Sequence, residues 1–363
     1  MSSPEPAPLD LRSLNQIRAH PCPACCLCGA AGEPLYTNLK DRLCGAQGSW
    51  HLKRCREPGC GLIWLDPMPI KEDIGKAYQS YFTHFEVSPV RKGRWPRHIY
   101  GFAKRGYWAR KYSYGRDSAG RLEKVLGTII QLFPLRSAAL DFSIMYLPFQ
   151  RNGRLLDVGC GNGQAMQTMA ELGWQVQGVD FDTKAVQIAR NKGLEVRLGG
   201  LEAQAYPSNF FDAITMSHLI EHVHDPVSLL TECWRILKPG GRVVIVTPNS
   251  ESWGHQKFGG NWMHLDPPRH LHIFNGQSLR RLVGMVGFHL ISLDATIRDA
   301  DGVFIGSRSI EDTGRHRMER SHHTPFRRLW GRGMQFAEWV RLQRKSSLGE
   351  EIALVVTKGP IAQ

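Results

Sequence analysis

Two groups of residues in this chain have types and spacings that suit chemistry. The first is Leu155-Leu156-Asp157-Val158-Gly159-Cys160-Gly161-Asn162-Gly163-Gln164. The apolar residues around Asp157 predict the end of a buried parallel strand. Glycine at every second position then lets the backbone turn sharply and approach a ligand with no Cβ in the way. Residues Gln164 to Leu172 have helical character and stop at Gly173. Strand, glycine loop and helix N-terminus together make a nucleotide site; an ordinary strand–turn–helix corner is the competing reading of the loop alone. An acid stands two residues ahead of the first glycine, so a pyrophosphate would be repelled by Asp157, whereas a ligand carrying a cationic amino group would not.

The second group is cysteine. Cys22-Pro23-Ala24-Cys25-Cys26-Leu27-Cys28-Gly29 is followed by Cys55-Arg56-Glu57-Pro58-Gly59-Cys60-Gly61. Two knuckles about thirty residues apart, each closed by glycine, are a zinc-ribbon pattern. Cys25, Cys28, Cys55 and Cys60 are the expected tetrahedral ligands, with Cys22 and Cys25 as the alternative first pair and Cys26 and Cys44 as spectators. Four thiolates leave no open position, so the expected zinc is structural.

The elements that position the first group follow in order. Gln175 to Val179, Leu194 to Leu198, Phe211 to Met216 and Arg242 to Thr247 read as further strands. Asp180, at the C-terminal edge of the second, is placed to accept from both ribose hydroxyls of an adenosine. Asp182 is a candidate helix cap, and Asp225-Pro226 has N-cap and first-turn chemistry for a helix through Leu237. Leu237-Lys238-Pro239-Gly240-Gly241 is expected to end that helix and turn into the strand.

The glycine loop resembles motif I of the class I S-adenosylmethionine-dependent methyltransferases. Ile220-Glu221-His222-Val223 with Asp225-Pro226, and Leu237 to Gly241, are similar to later segments of that family. The resemblance covers roughly Gly153 to Leu293 plus a C-terminal strand. It implies an α/β fold: a Rossmann-like, doubly wound, seven-stranded sheet, completed by His289 to Leu293 and an antiparallel Glu351 to Thr357. It also implies S-adenosylmethionine as cofactor, with Asp157 near its methionyl end and Gly159, Gly161 and Gly163 close beneath it. Asp180 and Phe181 would follow, then Gly200 and Leu201 beside the adenine, then Ser217 and His218. The cysteine region, with Leu62-Ile63-Trp64-Leu65-Asp66-Pro67, resembles a bacterial group in which a small cysteine-rich domain precedes the catalytic domain. That group works often in sugar, polysaccharide or natural-product pathways. The run Trp262 to Phe274 is similar to the same group.

These readings divide the chain into a loose tail (1–20), a zinc-ribbon-like domain (21–90), a helical linker or lid (91–150) and a methyltransferase domain (151–363). The last is interrupted by insertions at about 248–273 and 298–349. The first insertion is too long for a plain connection. It carries His255, His264, His270 and His272 at the ligand edge of the sheet; their spacing fits no helix-borne pair of metal ligands, which counts against a second metal site there. His218, His222, His264 and His270 are the candidate general bases for a hydroxyl acceptor. Tyr78, Tyr81 and Phe82 would line an acceptor pocket or belong to the core.

The formal charge is 46 − 33 = +13, which suggests an anionic partner such as an anionic lipid surface or nucleic acid. Basic and aromatic residues alternate from Arg91 to Lys111 and again from Phe326 to Gln343, which suits a membrane surface. A soluble lid with its aromatics buried is the competing expectation. No apolar run reaches the ~18 residues of a membrane span, the N-terminus lacks a signal-like region, and the clustered cysteines suit a reducing compartment. The chain is therefore expected in the cytoplasm, in peripheral contact with the inner membrane. The expected function is methyl transfer to a small molecule: a sugar, glycolipid or lipid-linked intermediate. A nucleic-acid-binding methyltransferase is the alternative, less favoured because no dense basic-aromatic stripe flanks the cysteines.

Overall fold

The computed structural model describes residues 16–78, 97–316 and 324–359. Tyr81, Phe82 and the stretch from Arg91 to Trp95 lie outside the described residues. The cysteine region holds strands β1 (Ala19–His20), β2 (Gly32–Leu39), β3 (Trp50–Cys55), β4 (Ile63–Leu65) and β5 (Met68–Pro69). Helices α1 (Arg97–Tyr112), α2 (Arg121–Gln131) and α3 (Pro134–Ser143) follow. The core then runs β6 (Arg154–Val158), α4 (Gln164–Glu171), β7 (Gln175–Asp180), α5 (Thr183–Asn191), β8 (Glu195–Leu198), β9 (Phe211–Ser217), α6 (Pro226–Ile236) and β10 (Leu237–Pro248). The remaining elements are α7 (Trp253–Phe258), β11 (His272–Ile273), α8 (Gly276–Val286), β12 (His289–Thr296), α9 (Ala300–Thr313), α10 (Pro325–Leu342) and β13 (Glu351–Thr357).

The main sheet has seven strands in the order β12-β13-β10-β9-β6-β7-β8. Strands β6 to β10 run parallel, while β13 is antiparallel to both β10 and β12. This is the doubly wound sheet expected from the sequence. The order reverses between β6 and β9, and a ligand crevice opens outside the carboxyl ends of strands at such a point. Local chemistry sets the helix starts. Asp182 accepts from the amides of Lys184 and Ala185 at 2.9 and 3.3 Å, and Asp225 accepts from Ser228 at 2.9 Å ahead of Pro226. One boundary differs from expectation. Leu237 already pairs with Phe211 as part of β10, and the Lys238 to Gly241 stretch is a bulge within the strand rather than a turn before it.

Alternation along the strands splits the core into two faces. Leu156, Val158, Ile214, Met216, Val243 and Ile245 face one apolar layer, which is continuous with the cysteine region. Leu155, Ala213, Val244 and Val246 face the other, made with Tyr107, Trp108 and Tyr112 of α1 and with Trp174. The expected linker is thus a layer of the fold. Tyr107 is 1% exposed and Trp108 4%, so these two belong to the core, while Phe102 stays exposed. Helices α1 and α2 cross where Gly106 and Gly127 meet. A Cβ on Gly106 would stand 1.7 Å from the Glu123 carbonyl oxygen, so only glycine fits there.

The N-terminal part departs further from expectation. The end of the presumed loose tail is pinned: β1 pairs with β5, Ile17 is buried, and Arg18 pairs with Asp73 at 2.8 Å. The cysteine-region sheet has the order β11-β4-β3-β2. Its outermost strand comes from residues 272–273, with His272 opposite Trp64 and Ile273 opposite Ile63. The end of the long insertion is therefore a strand of the cysteine-region sheet.

Candidate cofactor and acceptor site

The glycine loop leaves β6 at the reversal point. Gly161 has a φ of +53°, and a Cβ there would meet nothing within 4 Å, so open space lies over the loop. Gly163 is glycine for another reason: a Cβ there would strike Leu194 at 2.3 Å, which places it at the packing of α5 and its following loop. Asp180 accepts from the Gly161 amide through Oδ2 at 2.7 Å and from the Asp182 amide through Oδ1 at 2.9 Å. It holds the loop in place at the C-terminal end of β7. Asp157 accepts from the Thr215 hydroxyl at 2.7 Å. Burial pushes its pKa up to about 7, with the Thr215 bond opposing and Asp180 adding. A carboxyl held at that threshold would be drawn to its ionised form by a cationic amino group. Phe181 is 54% exposed beside Asp180, whereas the Leu201 side chain is buried, leaving its backbone and the exposed Gly200 to face a ligand. These residues fit S-adenosylmethionine: an acid for its amino group, an open glycine loop, and a second acid for its ribose.

The four predicted histidines gather at the adjoining edge. Ser217 ends β9, and His218 then turns the chain at a φ of +51°. Its Nε2 lies 2.8 Å from Glu351, and Arg298 also reaches both groups. Burial alone would lower the pKa of His218, but Glu351 and Glu221 outweigh it and lift it to about 10. The carboxylates favour the imidazolium, whereas the Arg298 guanidinium 3.0 Å from the same Nε2 favours the neutral ring. His270 is buried and His222 half-buried, and desolvation pushes each down to about 4, so both are neutral. Their rings meet edge to face with centroids 4.7 Å apart. His264 lies 6.5 Å from His270 and 6.2 Å from His218, and its Nδ1 is buried with no hydrogen-bond partner. His255 and His272 point elsewhere, to Tyr36 at 3.0 Å and Cys26 at 3.6 Å.

Tyr78 ties the two halves of the site together. Its hydroxyl is 2.9 Å from His222 Nδ1, and its ring stands edge-on to Phe181 with centroids 5.5 Å apart. Sequence reasoning left Tyr78 undecided and missed the role of Glu221, although its place beside His222 just past β9 was a usable signal. It also missed the carboxylate of Asp41. Arg269 is 0% exposed, and its guanidinium is held by Asp41 of the cysteine region and Asp266.

The cysteine group forms as expected. Sulfurs of Cys25, Cys28, Cys55 and Cys60 all lie within 4.8 Å of one another. The Cys25–Cys60 separation is 3.7 Å and the Cys28–Cys55 separation 3.3 Å. A zinc–sulfur bond of about 2.3 Å implies sulfur–sulfur edges of about 3.8 Å in a tetrahedron, so the donor set suits zinc after a small adjustment. Cys22 is outside this group, its amide donating to Asp66 at 2.7 Å.

Strand order, glycine loop and paired acids match a Rossmann-like methyltransferase fold. Residues 134–293 match the family model described as a methyltransferase domain. The chain is similar to the ubiquinone biosynthesis O-methyltransferase of Xanthomonas oryzae pv. oryzae, at 41% identity over 125 residues, 32% of this chain and 52% of that protein. It is similar to the protein of the same name from Alkalilimnicola ehrlichii at 37% over 123 residues, 32% and 49% of the two chains. The chain thus spans about half the length of the curated relatives it matches. Among solved structures, phosphoethanolamine N-methyltransferase 2 of Haemonchus contortus is 18% identical, covers 61% of this chain and 53% of that one, and has a TM-score of 0.42.

Proposed function

We propose that this chain is an S-adenosylmethionine-dependent O-methyltransferase of a small molecule: a sugar, a glycolipid or a lipid-linked intermediate. The observation that carries the reading is the Asp180–Gly161 hydrogen bond, which joins a ribose-facing acid to an open glycine loop at the sheet's reversal point. Oxygen as the methylated atom is supported by the names of the relatives. The bound cofactor supplies an electrophilic methyl group on a cationic sulfur. Asp157, Gly161, Asp180 and Phe181 bind and orient it, and the buried histidine wall excludes water. As the acceptor oxygen gains its bond to carbon, its proton must leave. We assign the neutral imidazoles at this edge, His222, His264 and His270, to receive it. Structural zinc on Cys25, Cys28, Cys55 and Cys60 completes the proposal.

Calorimetry with S-adenosylmethionine tests this reading. Asp180→Ala removes a charged acceptor worth about 1.5–3 kcal/mol, roughly a 10- to 100-fold loss of affinity. The freed Gly161 amide should add to that loss. Gly161→Val should abolish binding by filling the open space. Wild-type affinity in both folded variants would sink the assignment.

A lipid-linked acceptor calls for contact with a membrane surface, at the cytoplasmic face in this proposal. Among the described residues no single helix is long and apolar enough to cross a membrane; α2 and α3 qualify only as a pair bent by 114°. The face that supports contact is not the expected one on α1. It is α2, where Leu122, Val125 and Leu132 are 68%, 57% and 77% exposed, with Arg121 and Lys124 alongside. Helix α10 adds exposed Phe326, Leu329 and Phe336 among arginines. Sedimentation with anionic vesicles should capture the protein at low salt, release it at high salt, and fail with Val125→Asp and Leu132→Asp combined. Protein left in the supernatant at low salt would favour a soluble acceptor.

A further inference from the structure

Glu221, His222 and His270 bring one donor atom each to within 4.8 Å of the others. They come from separate places: Glu221 and His222 just past β9, His270 from the long insertion. Each ring is oriented by a main-chain carbonyl. His222 Nδ1 faces the Arg269 oxygen at 2.9 Å, and His270 Nδ1 faces the His264 oxygen at 2.7 Å. A carbonyl oxygen only accepts, so His270 Nδ1 carries the hydrogen and its Nε2 keeps a lone pair; His222 does the same when its Nδ1 hydrogen is shared between the Arg269 oxygen and the Tyr78 hydroxyl, which then accepts. An imidazole pinned through its far nitrogen is the usual outer support of a metal ligand. Glu221 is 0% exposed. Its Oε2 accepts from Thr247 at 2.9 Å, while Oε1 is buried without a hydrogen bond, its 3.4 Å contact with His218 Nδ1 lacking the geometry for one. A buried carboxylate oxygen is stabilised by a cation, and at 3.4 Å the His218 ring meets Oε1 only loosely, which leaves that oxygen a lone pair for a metal ion.

We propose that Glu221, His222 and His270 bind one divalent transition-metal ion, separate from the four-cysteine site. Two imidazoles and a carboxylate suit ions of the manganese-to-zinc series. Three protein ligands leave positions open, as sites that engage a substrate do. The cluster adjoins the cofactor side through Tyr78, whose hydroxyl reaches His222 and whose ring meets Phe181. The open positions are therefore where an acceptor's oxygen donors would sit, an alcohol, a phenol or a vicinal diol, with the ion favouring loss of the hydroxyl proton. This role for the ion rests on the methyltransferase reading; the binding of the ion does not.

Manganese(II), added to the full chain with its cysteine site already filled by zinc, is the probe. Electron paramagnetic resonance should report one bound ion per chain, and pulsed measurements should show nitrogen couplings from imidazole. His270→Ala and Glu221→Gln should each weaken binding at least tenfold, with Cys26→Ser as the unaffected control. Calorimetry with S-adenosylhomocysteine on the same samples keeps the two readings apart. Loss of nucleoside binding with manganese retained would strike the methyltransferase assignment and leave the ion site standing. No manganese bound by the wild type, a spectrum without nitrogen couplings, or wild-type affinity in a folded variant would overturn the site. If neither variant folds, the wild-type spectrum decides.

Discussion

Removing zinc from the four-cysteine site is expected to loosen far more than the cysteine region. The sequence alone suggests a ribbon that unfolds by itself and spares the core. The structure argues otherwise, because the two parts share a sheet and an apolar layer. Strand β11 pairs with β4 through His272 and Ile273. Cys25, Cys55 and Cys60 belong to the same buried cluster as Leu156, Met216 and Ile245. The residues just ahead of β11 are Arg269 and His270, the anchor and one histidine of the acceptor edge. Structural zinc contributes about 10–16 kcal/mol in small zinc-binding peptides near neutral pH, comparable to the whole stability of a typical domain, ~5–15 kcal/mol. Chelator-treated protein, and Cys55→Ser, should therefore show one cooperative calorimetric transition shifted far down in temperature. Hydrogen exchange should speed up across Trp262 to Phe274 as well as across β2 to β4. Two separate transitions, the upper one unmoved, would mean that the core stands without the ribbon.

Legibility in the sequence followed contact distance along the chain. The glycine loop, Asp157, Asp180, the helix caps and the four cysteines were all readable, because each is set by residue type at short spacing. The seven-stranded sheet followed from the resemblance those motifs carry, and its strands appeared within a few residues of expectation. What stayed hidden depends on partners far apart. Tyr78 finds His222 across 144 positions, and Arg269 finds Asp41 across 228. Nothing in local periodicity could say that β11 joins the ribbon sheet, since a two-residue strand has no pattern of its own. The basic-aromatic run of α1 left two readings open for a related reason. Its lysines and arginines reach solvent while Tyr107 and Trp108 turn inward, and an amphipathic helix looks alike whether its apolar face meets a core or a membrane. The surroundings of His218 also lay beyond sequence, chiefly Glu351 on the far antiparallel strand.

Arg269→Met should be the most destabilising single change at the acceptor edge, by about 3–5 kcal/mol. All five N–H donors of Arg269 are engaged. Nη1 and Nη2 grip the Asp41 carboxylate at 2.7 and 2.8 Å, Nη1 also donates to the Ala77 carbonyl at 3.1 Å, and Nε and Nη2 hold Asp266. Asp41 is itself fixed by the amides of Leu43, Cys44 and Ala46 at 2.8–2.9 Å. Methionine fills a similar volume but leaves two carboxylates buried without their cation, and one of them must take up a proton or drag water in. At a few degrees per kcal/mol, the melting temperature should fall by roughly ten degrees. Arg269→Lys keeps the charge but cannot form the fork, so it should fall between methionine and the wild type. Restoring neutrality with Asp41→Asn in the methionine background should recover part of the loss. That partial rescue separates a charge left unpaired from a simple packing defect. A melting temperature for Arg269→Met within two or three degrees of wild type would mean that the triad is not what fastens the histidine loop to the cysteine region.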